Sequence, residues 1–384
     1  MSETAAIPES TEAIPQIPKE KKKVSQSYLS LVWWKFRRNR LAVIGAIILL
    51  IYYITCIFFA EFFAPYSKEL ESSYVEARPT YLQFVDDQGK FSLRPFVYGL
   101  EKKIDAATRT RSFVYDKTIK YPIYFFVRAE PYKLLGIIPT NIHFFGTDPA
   151  IPDAKVFLLG TDKLGRDQFS RMLYGGRISL FIGLFSVAVF LFIGVTLGAI
   201  SGYYGGATDI IVMRITELLS AFPQEPLFLA LGAAVPVAWP STRVFFIVTI
   251  LLALVQWGGL ARQVRGLVLS GREEQYVLAA QSFGASDRRI IFNHLIPATM
   301  SHVIVIATLK IPNMILLETA LSFLGLGLVP PTVSWGTLLQ NANTVRAISF
   351  APWYLFVVPF ILFSILAYNM LGDGLRDAMD PYSK

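Results

Sequence analysis

Cysteine is almost absent from the chain. Cys56 is the only one and lies in an apolar run, so neither an intrachain disulfide nor a thiolate metal site can form. The three histidines, His143, His294 and His302, are too scattered to make a metal-spaced set. No G-x-x-x-x-G-K-[ST] segment occurs, which removes a phosphate-cradling loop, and no hydrolase elbow is present to serve a Ser, His and Asp triad. The chain is therefore expected to carry no catalytic residue, no metal and no cofactor of its own. Charge is scarce as well: 17% of residues, against about 25% in an ordinary soluble domain, beside 53% hydrophobic residues. These figures exclude the soluble classes and leave a membrane protein.

Four long stretches, Leu41 to Ala60, Ile178 to Thr208, Val244 to Ala261 and Ser349 to Gly372, contain no Asp, Glu, Lys or Arg. Each meets or nearly meets the run of about 20 apolar residues that a bilayer core requires. Two further runs are less clean: Ile210 to Val235 carries Arg214, Glu217 and Glu225, and Ala298 to Leu317 carries Lys310 and ends at Glu318. Counting both gives an all-α polytopic membrane protein with six transmembrane helices, at 41–63 and at approximately 178–203, 210–235, 244–265, 298–320 and 350–372.

Basic residues set the orientation. Lys19, Lys21, Lys22, Lys23, Lys35, Arg37, Arg38 and Arg40 precede the first span, so the N-terminal tail, residues 1–40, is expected in the cytoplasm. Its first 20 residues read as a disordered tail. The apolar run starts too far in and is too long for a cleaved signal peptide, so it is expected to stay as an anchor. Four crossings bring the loop with Arg262, Arg265, Arg272, Arg288 and Arg289 back inside, and six bring the tail at 374–384 there. Membrane orientation thus accounts for the net charge of +8, and no basic and aromatic module points to nucleic acid.

Residues 65–177 then fall outside. Segments such as "YLQFVDDQGKFSLRPFVY" and "SFVYDKTIKYPIYFFV" alternate aromatic and β-branched residues around turn signals, which predicts short strands and a hairpin in a small β-rich extracytoplasmic insert. A domain with its own core and a loop that leans on the bundle are both open at this stage. The Asp162 to Tyr174 segment reads as an amphipathic helix at the outer surface, with Lys163, Arg166 and Arg171 reaching to the interface.

The loop at 273–297 contains "AAQSFGASDRRIIFNHLIP". It predicts a helix from Glu273 to Phe283, a left-handed stop at Gly284, a second helix capped by Ser286 and beginning at Asp287, and an end to the cytoplasmic portion at Pro297. Ala279 and Ala280 would let another protein approach the helix backbone closely, whereas a helix made for lipid would present a broader apolar face. Arg288 and Arg289 read as topogenic or solvated charges, and His294 as a helix-terminal residue.

The spacing from Ala279-Ala280 through Gly284 to Pro297 resembles the "EAA" loop of permease subunits in bacterial ATP-binding-cassette importers. Leu278 stands where that family usually has Glu. "LLGTDKLGRDQFSRMLYGGRISL", "SGYYGG", "ETALSFLGLGLVPPTVSWG" and "LGDGLRDAMDP" narrow the resemblance to the C-type permeases of oligopeptide and dipeptide uptake systems, over span one and nearly everything from Leu158 onward. The outer segment departs by its length. The resemblance implies the type I importer permease fold, a bacterial inner-membrane location and peptides as the default substrate. It also implies a B-type permease partner, two cytoplasmic ATPase subunits and an extracytoplasmic solute-binding protein. Tyr276, Ala279, Ala280, Gly284, Ala285, Ser286 and Asp287 become the expected ATPase-coupling surface.

Charges within spans are the other candidates. Arg214 and Glu217, three residues apart, are expected to form a structural pair. Lys310, two residues before a kink at Pro312, and Glu318 are candidates for a translocation path or for pairing with the partner permease. Gly325 and Gly327 suggest a close turn before the last span. A secondary transporter or channel subunit is the alternative, disfavoured by the absence of a visible inverted repeat. A membrane-anchored outer module is the remote third.

Overall fold

The computed structural model describes residues 28–104, 111–236 and 238–380. The first 20 residues and the chain end from 381 lie outside these. Helix α1 (Tyr28–Arg38) leads through Asn39, whose side chain accepts from Ala42 N at 3.2 Å, into α2 (Arg40–Tyr52). The first span then continues as a π-turn over Tyr53–Phe58 and ends in α3 (Ala60–Phe63).

Strands β1 (Gln83–Val85), β2 (Phe91–Ile104) and β3 (Arg111–Pro122) form one antiparallel sheet, and β4 (Tyr124–Leu134) and β5 (Ile138–Gly146) form a separate hairpin. Their common core is small: Val97, Ile123, Phe145 and Val156, with Phe169 of the following helix packed on it. Trp353 Nε1 donates to the Thr161 carbonyl at 2.9 Å, and Tyr115 Oη donates to Pro79 O at 2.6 Å. The Trp353 contact and the packing of Phe169 thus fasten the segment to the helices beside this small core.

Asp162 to Asp167 is a tight turn, not the start of an amphipathic helix. Asp162 Oδ1 accepts from Leu164 N at 2.9 Å and Arg166 N at 3.0 Å, an Asx arrangement that takes the backbone out of helical geometry. Asp167 then caps the long helix α4 (Gln168–Tyr204) by accepting from Ser170 N at 2.7 Å. Arg171 does not reach out to an interface; it is buried, 3.7 Å from Asp162, because the turn folds that carboxylate over it.

By length and composition five helical stretches could cross a membrane: Arg40–Phe58, Gln168–Tyr204, Arg243–Gly271, Asp287–Phe323 and Pro352–Met379. The continuous span expected at 210–235 is instead two helices, α5 (Gly206–Ala221) and α6 (Gln224–Ala233). Pro223 separates them, since it has no N–H to continue the ladder and its ring pushes Phe222 before it into extended geometry, at ψ 135°. Helix α5 packs on α7 (Ser241–Gly271), where Asp209 meets Arg265 and Thr216 lies against Gly258, while Gly232 of α6 lies against Leu326 in the turn after the helix that ends at Phe323.

Helix α8 (Gln275–Ser282), α9 (Asp287–Ile290) and a π-turn over Ile291–Leu295 lead into α10 (Ile296–Phe323). Pro297 does not stop the chain; the helical run from Asp287 to Phe323 passes through it, by way of the π-turn, into α10. Short helices α11 (Trp335–Gln340) and α12 (Val345–Phe350) precede α13 (Val357–Met379). The stretch 374–379, expected to begin a tail, is helical because Ala378 packs with Val32 and Phe36 of α1.

Helix α4 is central, packed on α7 and α10. A Cβ at Gly198 would come within 2.6 Å of the Ala261 carbonyl, so the α4–α7 approach is set by the missing side chain.

Candidate functional site

The 273–297 loop presents a rigid knob. Helix α8 closes in a Schellman motif: Ala285 N donates to Ala280 O at 3.0 Å and Gly284 N to Gln281 O at 2.8 Å, with Gly284 at φ +78°. A Cβ at Gly284 would meet nothing within 4 Å, so its backbone angle alone calls for glycine there. Ser286 occupies the N-cap position of α9, yet its side chain makes no capping bond.

Val277, Ile290, Ile291 and Leu295 are buried and anchor the loop. Tyr276, Ala279, Gly284, Ser286 and Asp287 are exposed, and Ala280 and Ala285 are half-buried. The seven expected coupling residues therefore lie on one short α8–α9 unit. Two apolar side chains join them: Leu278, 48% exposed, and Phe283, 91% exposed at the tip. Phe283 was not among the expected residues, although a large apolar residue directly before the helix-stopping glycine was the available signal.

Two side chains, Tyr203 and Arg272, join the knob and its approach to the end of α4. Tyr203 Oη donates to Asp287 Oδ1 at 2.8 Å. Arg272 Nη1 donates to the carbonyls of Gly202 at 3.3 Å and Tyr203 at 3.4 Å. Behind them Asp209 accepts from Ser201 Oγ at 2.5 Å and from both Nε and Nη2 of Arg265. The "SGYYGG" turn, Ser201 to Gly206, is thus the receiving end of the loop: it reverses the chain from α4 to α5 with Gly205 and Gly206 at positive φ.

The two intramembrane candidates are not brought together. Glu318 is fully buried and accepts from Ser179 Oγ at 2.9 Å and Ser322 Oγ at 2.8 Å. Those serines in turn accept from Trp335 N at 3.1 Å and Leu328 N at 3.0 Å. Glu318 consequently ties α4, α10, the Gly325–Gly327 turn and the start of α11 into one node. Lys310 is half-buried, with Nζ 5.7 Å from the centre of the Phe190 ring, so among the described residues it faces an aromatic face rather than a carboxylate. Arg214 and Glu217 pair at 2.7 Å on an exposed face of α5.

Toward the head of α4, a cavity of about 480 Å³ is lined by residues that include Lys68, Glu69, Tyr174, Arg177, Phe245 and Val333. Arg177 is held there by a bidentate pair to Glu61, both contacts 2.6 Å. Among the described residues, no group of three or more His, Cys, Asp or Glu could hold a metal ion.

Comparison with known proteins gives two family matches. Residues 194–381 match the binding-protein-dependent transport system inner membrane component, and residues 27–82 match the N-terminal TM domain of oligopeptide transport permease C. The strands and about the first two thirds of α4 fall between the two matched ranges. The chain is 41% identical to the oligopeptide transport system permease protein OppC of Bacillus subtilis (strain 168), over 60% of this chain and 73% of that one. It is 42% identical to the glutathione transport system permease protein GsiD of Pectobacterium atrosepticum, over 59% and 73%. It is 42% identical to the dipeptide transport system permease protein DppC of Alkalihalophilus pseudofirmus, over 59% and 72%.

Proposed function

Because this chain belongs to the binding-protein-dependent transport system inner membrane components, we propose that it is the C-type permease of an ATP-binding-cassette peptide importer, coupled to its ATPases through the α8–α9 knob. The observation that carries the coupling role is an exposed, apolar-tipped unit, stiffened by Gly284 and wired through Tyr203 and Arg272 to the turn between two membrane helices. A motion imposed on Phe283 by an ATPase closing on ATP would be passed to α4 and α5 as a rigid-body shift. Leu278, which stands where the family usually places Glu, and Phe283 at the tip give the contact an apolar character.

The partners under this reading are a B-type permease, two cytoplasmic ATPases, a solute-binding protein outside, and membrane lipid around the spans. The broken pair α5–α6 supplies a sixth crossing, which puts α1, the knob and the end of α13 on the cytoplasmic side and the strands outside. The Lys35 ammonium, which donates to the Asp380 carbonyl at 3.1 Å, supports a common side for both ends of the chain. Lys310, half-buried beside Phe190, is the residue proposed to line the path, and Glu318 is a structural node farther along α10.

The test is to reconstitute the chain with a B-type permease and ATPases in liposomes and compare ATP hydrolysis and assembly for wild type and Gly284→Asp. Loss of stimulated hydrolysis or of ATPase capture supports the coupling role. Unchanged hydrolysis and assembly would reduce the loop to a connector.

A further inference from the structure

The chain enters the membrane through a helix with two unlike faces. A single residue, Asn39, separates the end of α1 at Arg38 from the first span, which begins at Arg40. Val32 and Phe36 of α1 join Ala42 and Ala378 in one buried cluster, with Val43, Ala46 and Leu375 packed around it. Ala42 is the second residue of the charge-free run that starts at Leu41, and Ala46 lies about 6 Å farther along the helix axis. These contacts hold α1 against the first turns of the span, at the edge of the bilayer core. Lys35 and Asn39 complete the inward side: Lys35 Nζ donates to Asp380 O at 3.1 Å, and Asn39 Nδ2 to Asp377 Oδ2 at 3.5 Å.

The outward side is aromatic and cationic. Trp33, Trp34, Arg37 and Arg38 follow the i, i+3, i+4 spacing of one helix side, and all four are exposed. Trp33 is 59% exposed and Trp34 53%, a large apolar surface to leave in water. Both indoles are held in place: Arg38 lies over the Trp34 ring, 4.7 Å from its centre, and Trp33 stacks on Phe36 at 5.8 Å. Arg40, also exposed, opens the span. Among the described residues none of Arg37, Arg38 and Arg40 forms an ion pair, and Asp377 is turned to Asn39 instead.

We propose that α1 lies in the membrane interface and that Arg37, Arg38 and Arg40, with Trp33 and Trp34, form a site for the headgroup of an anionic phospholipid. The packing on Ala42 and Ala46 sets the depth, and at that depth a membrane span is ringed by headgroups. Indole rings and long basic side chains are what this zone accepts, the rings at the headgroup level and the guanidinium groups on phosphate. Three cations without a carboxylate partner favour a headgroup of net negative charge over a zwitterionic one. That the leaflet is the cytoplasmic one rests on the topology proposed above; the lipid site itself rests only on the first span crossing the membrane.

The test uses the full chain assembled with its partner subunits in phosphatidylcholine nanodiscs that also contain either doxyl-labelled phosphatidylglycerol or doxyl-labelled phosphatidylcholine. Leu31→Cys, on the exposed side of α1, carries a fluorophore, and buried Cys56 in the parent chain gives the background. Phosphatidylglycerol is expected to half-quench the label at about one fifth or less of the amount of phosphatidylcholine required. Combining Arg37→Gln with Arg38→Gln should remove most of that difference while both lipids still quench. Equal half-quenching amounts in the wild type would overturn the headgroup site. Quenching by neither lipid would overturn the interfacial placement, whether the label meets iodide in water or is shielded from it by a partner subunit. An unchanged difference in the double variant would take the lipid preference away from α1. These readouts need no ATP and can be repeated on the chain alone in nanodiscs, so each is separable from failure of the importer reading.

Discussion

The hydroxyl of Tyr203, next to the end of α4, donates to Asp287 Oδ1 at the start of α9 over 2.8 Å, joining residues 84 positions apart in sequence. Beside buried apolar packing and the Arg272 contacts, it is a polar link by which, under the proposed coupling role, a displacement of the knob would reach a membrane helix. A hydrogen bond to a carboxylate at an exposed site is worth about 1 kcal/mol. Tyr203→Phe should therefore lower ATP-driven uptake by about fivefold while leaving assembly intact. Uptake at the wild-type rate would show that packing alone carries the coupling.

Phe283 exposes nearly its whole ring, and a side chain so placed contributes nothing to the stability of the isolated subunit. If it fills a pocket in the ATPase, its removal should cost at least about 2 kcal/mol of binding, or about 30-fold in Kd. Phe283→Ser is expected to reduce ATPase capture by that amount with an unchanged melting temperature. Equal capture by the two proteins would take Phe283 out of the interface.

The positions of most spans were legible because a charge-free run of bilayer length has few other structural uses. The break at Pro223 was also written in the sequence, but apolarity averaged over 210–235 does not register one missing N–H. Other features needed the tertiary structure. Arg171 is buried because a turn nine residues earlier presents Asp162 to it, and local pattern cannot show that relation. The helix, glycine stop and second helix of the 273–297 loop were legible from Gly284 and its neighbours, whereas the fastening of that loop to Ser201–Gly206 depends on two segments about 80 residues apart.

Lys310 and Glu318 should part company on mutation. Glu318→Leu leaves the hydroxyls of Ser179 and Ser322 buried without their acceptor, a loss of about 2 to 4 kcal/mol for two such groups. It is expected to lower the melting temperature in detergent and to loosen the Gly325–Gly327 turn to proteolysis. Lys310→Met preserves the stem that packs on Phe190 and should leave the melting temperature unchanged while slowing uptake. Wild-type uptake by a normally assembled Lys310→Met complex would remove the path role.

Asp167, immediately ahead of α4, has one carboxyl oxygen on Ser170 N, and the other without a partner among the described residues. Burial pushes its pKa up to about 7, with a small further push from the nearby Asp162 carboxylate and an opposing pull from Ser170. The native state thus holds this proton more tightly than the unfolded chain does, whose carboxyl titrates near the ordinary value of 3.8. The resulting stabilisation is fully present below about pH 4 and is lost as pH rises through about 7, with an upper bound of about 4 kcal/mol. Asp167→Asn keeps an oxygen for the cap and removes the titration. Thermal unfolding of the two proteins between pH 4 and pH 8 should therefore diverge, the wild type losing stability with rising pH relative to the variant. Parallel curves would mean that the Asp167 carboxyl is already ionised throughout, with water supplying the missing partner.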